Sequence, residues 1–179
     1  MKKIMLVVLA VLMLSFVAVS AQETQTVTEI KWEDVAEIAA EVDSEAQFFL
    51  IGETGMAMWI PSVFHDVELT QEDVDAGMVA FLSTEDADAF VTVMFMDLEG
   101  STFDDVYANI LADSDYTEVE QGIINGLPAI TYTYEEGDTM TVAFVNDEGG
   151  VLQFMFSPKS NEGFAAVASF MMASIQIAE

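Results

Sequence analysis

Four apolar segments in a row, each closed by a turn signal, constrain this chain more than any other feature. Tyr116–Ile124 runs into Asn125-Gly126, a strong two-residue hairpin signal. Residues 128–135 end at Glu136-Gly137-Asp138, Thr139–Val145 ends at the stretch NDEGG over 146–150, and 151–157 completes the series. Connections this short join antiparallel neighbours only, so residues 116–157 predict a four-strand meander.

The rest of the chain is read around that meander. Ile30, Trp32, Val35, Ile38, Ala39 and Val42 recur at helical spacing, with Glu33, Asp34, Glu37 and Glu41 on the other face, and predict a helix over 30–42. Acids in its first turn suit the positive end of the helix dipole. Segments 46–51 (AQFFLI) and 56–60 (MAMWI) flank Gly52-Glu53-Thr54-Gly55 and read as a hairpin, stopped by Pro61. Residues 62–77 are expected to be an irregular connection with one helical turn at 70–74. A third strand is expected at 78–83. The segment 89–96 (AFVTVMFM) is apolar on both alternating sets, which predicts a central strand covered on both faces. Ser101 opens a helix, with Asp104 three residues on in a capping-box arrangement. Phe103, Val106, Tyr107, Ile110 and Leu111 form its expected buried stripe. A last helix is expected over 162–173, with Phe164, Val167, Phe170 and Met171 inward. The order predicts an α+β fold: a mainly antiparallel sheet of about 6–8 strands with helices on both faces.

The amino terminus has a different character. Lys2 and Lys3 precede an apolar run over 4–19, and Val19-Ser20-Ala21 offers the small residues a signal peptidase reads. The run is shorter than the ~20 residues a bilayer core requires. Residues 1–21 are therefore expected to be a cleaved secretory signal, 22–29 a linker and 30–179 one domain. That places the mature protein in the periplasm or outside the cell, with no membrane anchor. A lipid-bearing Cys at the cleavage point is missing, since Gln22 stands there and the chain has no Cys. Without disulfides, stability has to come from a core, and the length allows one.

All 32 acids lie beyond residue 21, against only Lys31 and Lys159, and there is no Arg. Nucleic acid is excluded as a partner, because binding it requires cations that displace counterions from phosphates. Anionic membrane surfaces are excluded for the same reason. Cationic and protein partners remain. So many like charges oppose compaction, most strongly at low salt. The melting temperature should therefore rise by several degrees between low salt and about 0.5 M NaCl. A flat thermal-shift profile would mean the acids are neutralised pairwise, which two lysines cannot do.

Side chains that might carry chemistry are few. His65 is the only imidazole, with Asp66 beside it and Ser62 three residues back. Adjacent residues rarely point together, so polar surface is the expected role. Ser157, Lys159 and Ser160 hold the pieces of a Ser–Lys dyad without its helical spacing. Zinc lacks ligands; calcium, which takes oxygens, is the better metal candidate. Two acidic runs qualify by density: Asp113, Asp115, Glu118 and Glu120, and Glu85, Asp86 and Asp88. Neither has EF-hand spacing. In a chain this acidic they are expected to be solvated faces, and paired carboxylates suited to glycoside hydrolysis carry no specificity. Met56, Met58, Met94, Met96 and Met155 fall on predicted strands, where core filling is expected and an adaptable binding groove is the alternative. No catalytic residue and no cofactor is expected.

Several local features are similar to a known group. They are Trp59-Ile60-Pro61 closing a strand ahead of an irregular loop, a helix opening at Ser101-Thr102-Phe103, Asn125-Gly126-Leu127-Pro128-Ala129 entering a strand, and Phe154-Met155-Phe156-Ser157-Pro158 before a final helix. Over residues 30–177 the chain resembles the PsbP-like fold, which includes the extrinsic PsbP subunit of photosystem II and the DcrB-like envelope proteins. The resemblance implies an α/β/α sandwich and a binding or assembly role more often than catalysis. DcrB-like members are typically lipoproteins, and the missing Cys departs from that pattern.

Overall fold

The meander forms as expected and anchors everything else. In the computed structural model, which describes residues 27–178, β7 (Tyr116–Ile124), β8 (Leu127–Tyr134), β9 (Thr139–Val145) and β10 (Gly150–Ser157) are consecutive antiparallel neighbours. β10 then pairs with β6 (Phe90–Asp97), β6 with β5 (Met78–Thr84), and β5 with β4 (Phe64–Asp66), all antiparallel. The eight-stranded sheet is completed by β1 (Thr28–Ile30), which runs parallel to β7 at the opposite edge.

β1 corrects one expectation and bears on another. The helix expected over 30–42 begins only at α1 (Ala36–Val42), after a 3-10 turn at Trp32–Asp34. Ile30 is instead drawn into the ladder opposite Ile124, and the Trp32 N–H donates to Asn125 Oδ1 at 2.6 Å. Tertiary pairing overrides helical spacing here. Thr28 and Glu29, read as the end of a linker, belong to the sheet. The expected signal at 1–21 and the linker up to residue 26 lie outside the described residues.

The hairpin forms, but in a sheet of its own. β2 (Gln47–Leu50) and β3 (Met56–Ile60) pair antiparallel, and β3 also pairs with β11 (Gln176–Ile177) at the carboxyl end. The connection at 62–77 contains the expected helical turn, α2 (Gln71–Asp75), for which Thr70 and Asp73 form a capping box, and it holds more order than expected in one respect, the strand β4.

Two helices cover opposite faces of the large sheet. In β10 the rings of Phe154 and Phe156 point to one side, where they join Val91, Val93 and the buried side of α4 (Glu162–Ser174). Met58 and Ile60 of the small sheet join that cluster, so the small sheet lies on the same face as α4. Val151, of opposite parity, joins Ile130, Tyr132 and Ala143 beneath Val106 and Ile110 of α3 (Phe103–Ala112). The α3 capping box uses Thr102 and Asp105, one residue later than Ser101 and Asp104. Leu111, expected in its buried stripe, is exposed.

β6 is interior to the sheet but only half covered. Val91 and Val93 are fully buried, whereas Phe90 is 36% exposed and Phe95 43%. On the face that α3 covers, Met96 of β6 packs against the α3 cluster, whereas Phe90 at the start of the strand is left exposed. Phe95 shares its parity with Val93, and lies where the small sheet stops.

Candidate functional site

Phe95 is the floor of a cleft of about 540 Å³ between the small sheet and one end of the large one. The β2–β3 turn (Glu53, Thr54), Met56 and Ile177 form one wall. Leu127, Phe144 and Leu152 of the large sheet form the other. Gly150 gives the floor its shape: a Cβ there would lie 2.9 Å from the Phe95 ring. Polar groups nearby are already engaged. Thr54 Oγ1 donates to the Ile51 carbonyl at 2.6 Å and accepts from the Met56 N–H at 3.1 Å. Asn146 Oδ1 accepts from the N–H groups of Glu148 and Gly150 at 3.0 and 2.7 Å. The Glu53 carboxylate is left at the rim, and no lysine or imidazole lines the cleft. Such a surface holds apolar matter by burial and favours a neutral or cationic group over an anion.

A second, wider cleft of about 950 Å³ lies at the other end and is acidic, with Asp43, Glu85, Asp86 and Asp88 among its walls. A glycosidase pair requires one carboxyl held up as a proton donor and one kept ionised. Asp43 and Asp86 are both held below the usual carboxylate range. For Asp43, burial is the largest single influence and pushes upward, but the hydrogen bonds from Ser62 and from the Glu45 and Ala46 backbone together outweigh it, and its Oδ2 accepts from the Ser62 N–H and Oγ–H at 2.7 and 2.8 Å. The Thr84 hydroxyl lowers Asp86.

The candidates named from sequence do not converge. His65 is exposed on β4 opposite Ser83, while Ser62 is bound to Asp43. Ser157 Oγ shares a hydrogen bond with Thr139 Oγ1 at 2.6 Å, and Ser160 Oγ donates to Asp138, so neither is free to pair with Lys159. Lys159 instead bridges Glu118 at 3.0 Å and Glu135 at 3.3 Å. That bridge holds Glu118 low, and Thr133 adds a hydrogen bond. Glu120 next to it is pushed up, first by burial and then by the Glu118 charge. Glu118 sits in a bulge of β7 with φ 52, a left-handed conformation uncommon for a residue with a side chain. Among the described residues, no three acidic or imidazole groups gather as metal ligands would. Met58 is core, and Met56 serves both core and cleft.

No family model matches the chain, and no curated protein matches it. Solved structures do match. The solution structure of cyanobacterial PsbP (CyanoP) from Synechocystis superimposes with a TM-score of 0.50 at 14% identity, over 74% of this chain and 92% of that one. The fold is PsbP-like. A Bacteroides thetaiotaomicron crystal structure aligns with a TM-score of 0.49 at 13% identity, over 75% of this chain and 49% of that one. Within the PsbP-like fold of this chain, no described helix is long and apolar enough to cross a membrane.

The cleft was not legible in the sequence, because its lining comes from seven separated stretches. Phe95 carried no signal beyond an apolar strand, and Ile177 lies after the last predicted helix. Asn125 was legible as a turn residue but not as a clamp. Its side chain amide donates to the Ala173 and Ile175 carbonyls at 2.9 and 2.8 Å, and so ties the end of α4 to the meander.

Proposed function

We propose that the protein is an exported, non-catalytic binding protein of the periplasm or extracellular space, and that the cleft floored by Phe95 is its binding site. One observation carries the reading: a cleft of ligand size is lined almost wholly by apolar side chains, with one carboxylate at its rim. The basic and apolar character of residues 1–21 supports export, and the PsbP-like fold is compatible with an accessory role. The occupant is an apolar group, neutral or cationic. Titration with the neutral dye N-phenyl-1-naphthylamine should give saturable fluorescence at one site per chain, and the anionic 8-anilinonaphthalene-1-sulfonate should bind at least tenfold more weakly. Ile177 is 64% exposed, so Ile177→Asp leaves the core intact; it should weaken the neutral dye about tenfold, or ~1.4 kcal/mol. Dye binding that is unsaturable, or indifferent to Ile177→Asp, would remove the cleft from consideration.

A further inference from the structure

β2 is an edge strand without the usual defences. Natural sheets blunt their edges with charges, proline, bulges or a covering element. The edges of the large sheet do so: β1 carries Glu29 and β4 carries His65 and Asp66, while the other edge of the small sheet, β11, is only two residues long. β2 reads Gln47-Phe48-Phe49-Leu50, with Phe48 40%, Phe49 50% and Leu50 61% exposed. Its backbone is also available. The Ile51 N–H donates to the Met56 carbonyl at 2.8 Å, so in an antiparallel ladder Phe49 faces β3 and Phe48 and Leu50 face outward. Two N–H and two C=O groups therefore line the free edge. Beside it, between β2 and the β4–β5 edge of the large sheet, runs a groove of about 190 Å³ walled by Phe49, Phe64, Leu82 and Asp66. That volume suits one side chain of an added strand.

We infer that β2 accepts an extended segment of another protein as an added strand, and that this segment alternates apolar residues with Lys or Arg. Main-chain bonds to Phe48 and Leu50 supply affinity, and the groove selects the side chain between them. The charge of the partner follows from this chain. Glu45 and Glu53 flank the strand, and Asp66 lines the groove. Both lysines of the domain are paired elsewhere, Lys31 with Glu29 and Lys159 with Glu118 and Glu135. A second copy brings the same acids to the same edge and is repelled.

The probe is a synthetic heptapeptide of alternating lysine and valine, titrated calorimetrically into the full-length protein at low ionic strength. It should bind once per chain, at least tenfold tighter than its glutamate–valine counterpart. Its fully N-methylated analogue keeps every charge and side chain but donates no main-chain hydrogen bond, and should bind at least tenfold more weakly than the parent. Phe49→Ser, at a half-exposed position, should lose affinity to a similar extent with an unchanged circular dichroism spectrum. Equal binding of parent and N-methylated peptides would show mere charge attraction and overturn the inference. So would equal binding of the acidic peptide, no saturable heat, or a concentration-dependent dimer that Phe49→Ser abolishes.

Discussion

Asn125→Ala should destabilise the protein by about 3–5 kcal/mol. The side chain makes three hydrogen bonds to backbone groups far away in sequence: it accepts from Trp32 N–H and donates to the Ala173 and Ile175 carbonyls. Each is worth roughly 1 kcal/mol net, and leaving a partner buried and unpaired costs more. Ala173 and Ile175 lie at the end of α4, where carbonyls lose their helical partners and require another donor. Asn125 also holds φ 49, which costs alanine about 1–2 kcal/mol. For a domain of this size the melting temperature should fall by roughly 6–20 °C. Asn125→Gly separates the two contributions, since glycine tolerates the backbone and loses only the hydrogen bonds. Asn125→Asp should fare no better than alanine, because it turns a carboxylate oxygen toward two carbonyls. If alanine shifts the thermal midpoint by less than a degree or two, the clamp is not formed in solution.

Phe154→Ala should cost about 3–5 kcal/mol, the range for removing a buried aromatic ring. Phe154 is fully buried in the middle of β10, opposite Val142 on one side and Val93 on the other. Its ring meets Phe144 edge-on, with centroids 6.0 Å apart. It also lies under α4, so the void would border three elements that cannot all close in. Phe154→Leu keeps most of the volume and should cost under about 2 kcal/mol. In urea the midpoint should fall for both variants while the slope stays constant, since the surface exposed on unfolding barely changes. An unmoved midpoint for the alanine variant would contradict the placement of Phe154.

The local order of the chain was legible to different depths. Asn125-Gly126 and the two later turn signals placed all four meander strands, because their constraints act between residues adjacent in sequence. The cap of α3 was found to within a residue. Thr102 took the role expected of Ser101, as two neighbouring hydroxyls compete for one cap and the geometry of the turn chooses. The amino-terminal helix was over-read. Residues 30–35 have helical spacing, yet Ile30 gains more by pairing with β7 and Trp32 by bonding Asn125. The cleft was not legible, for Phe95 and Ile177 become neighbours only when the small sheet settles on the large one.

The sequence by itself determined the strand and turn pattern, the need for a core without disulfides, and a strongly negative charge that opposes polyanionic partners. Those properties depend on side-chain alternation, on backbone preferences at a few turn residues, and on charge, which acts wherever the chain goes. Tertiary structure alone decided that the hairpin would join β11 in a second sheet, that α3 would leave Phe90 uncovered, and that the small sheet would stop short of Phe95. These are questions of which buried faces fit together across more than a hundred residues. Apolar segments of similar period offer many such pairings, and only close packing of the whole domain distinguishes them.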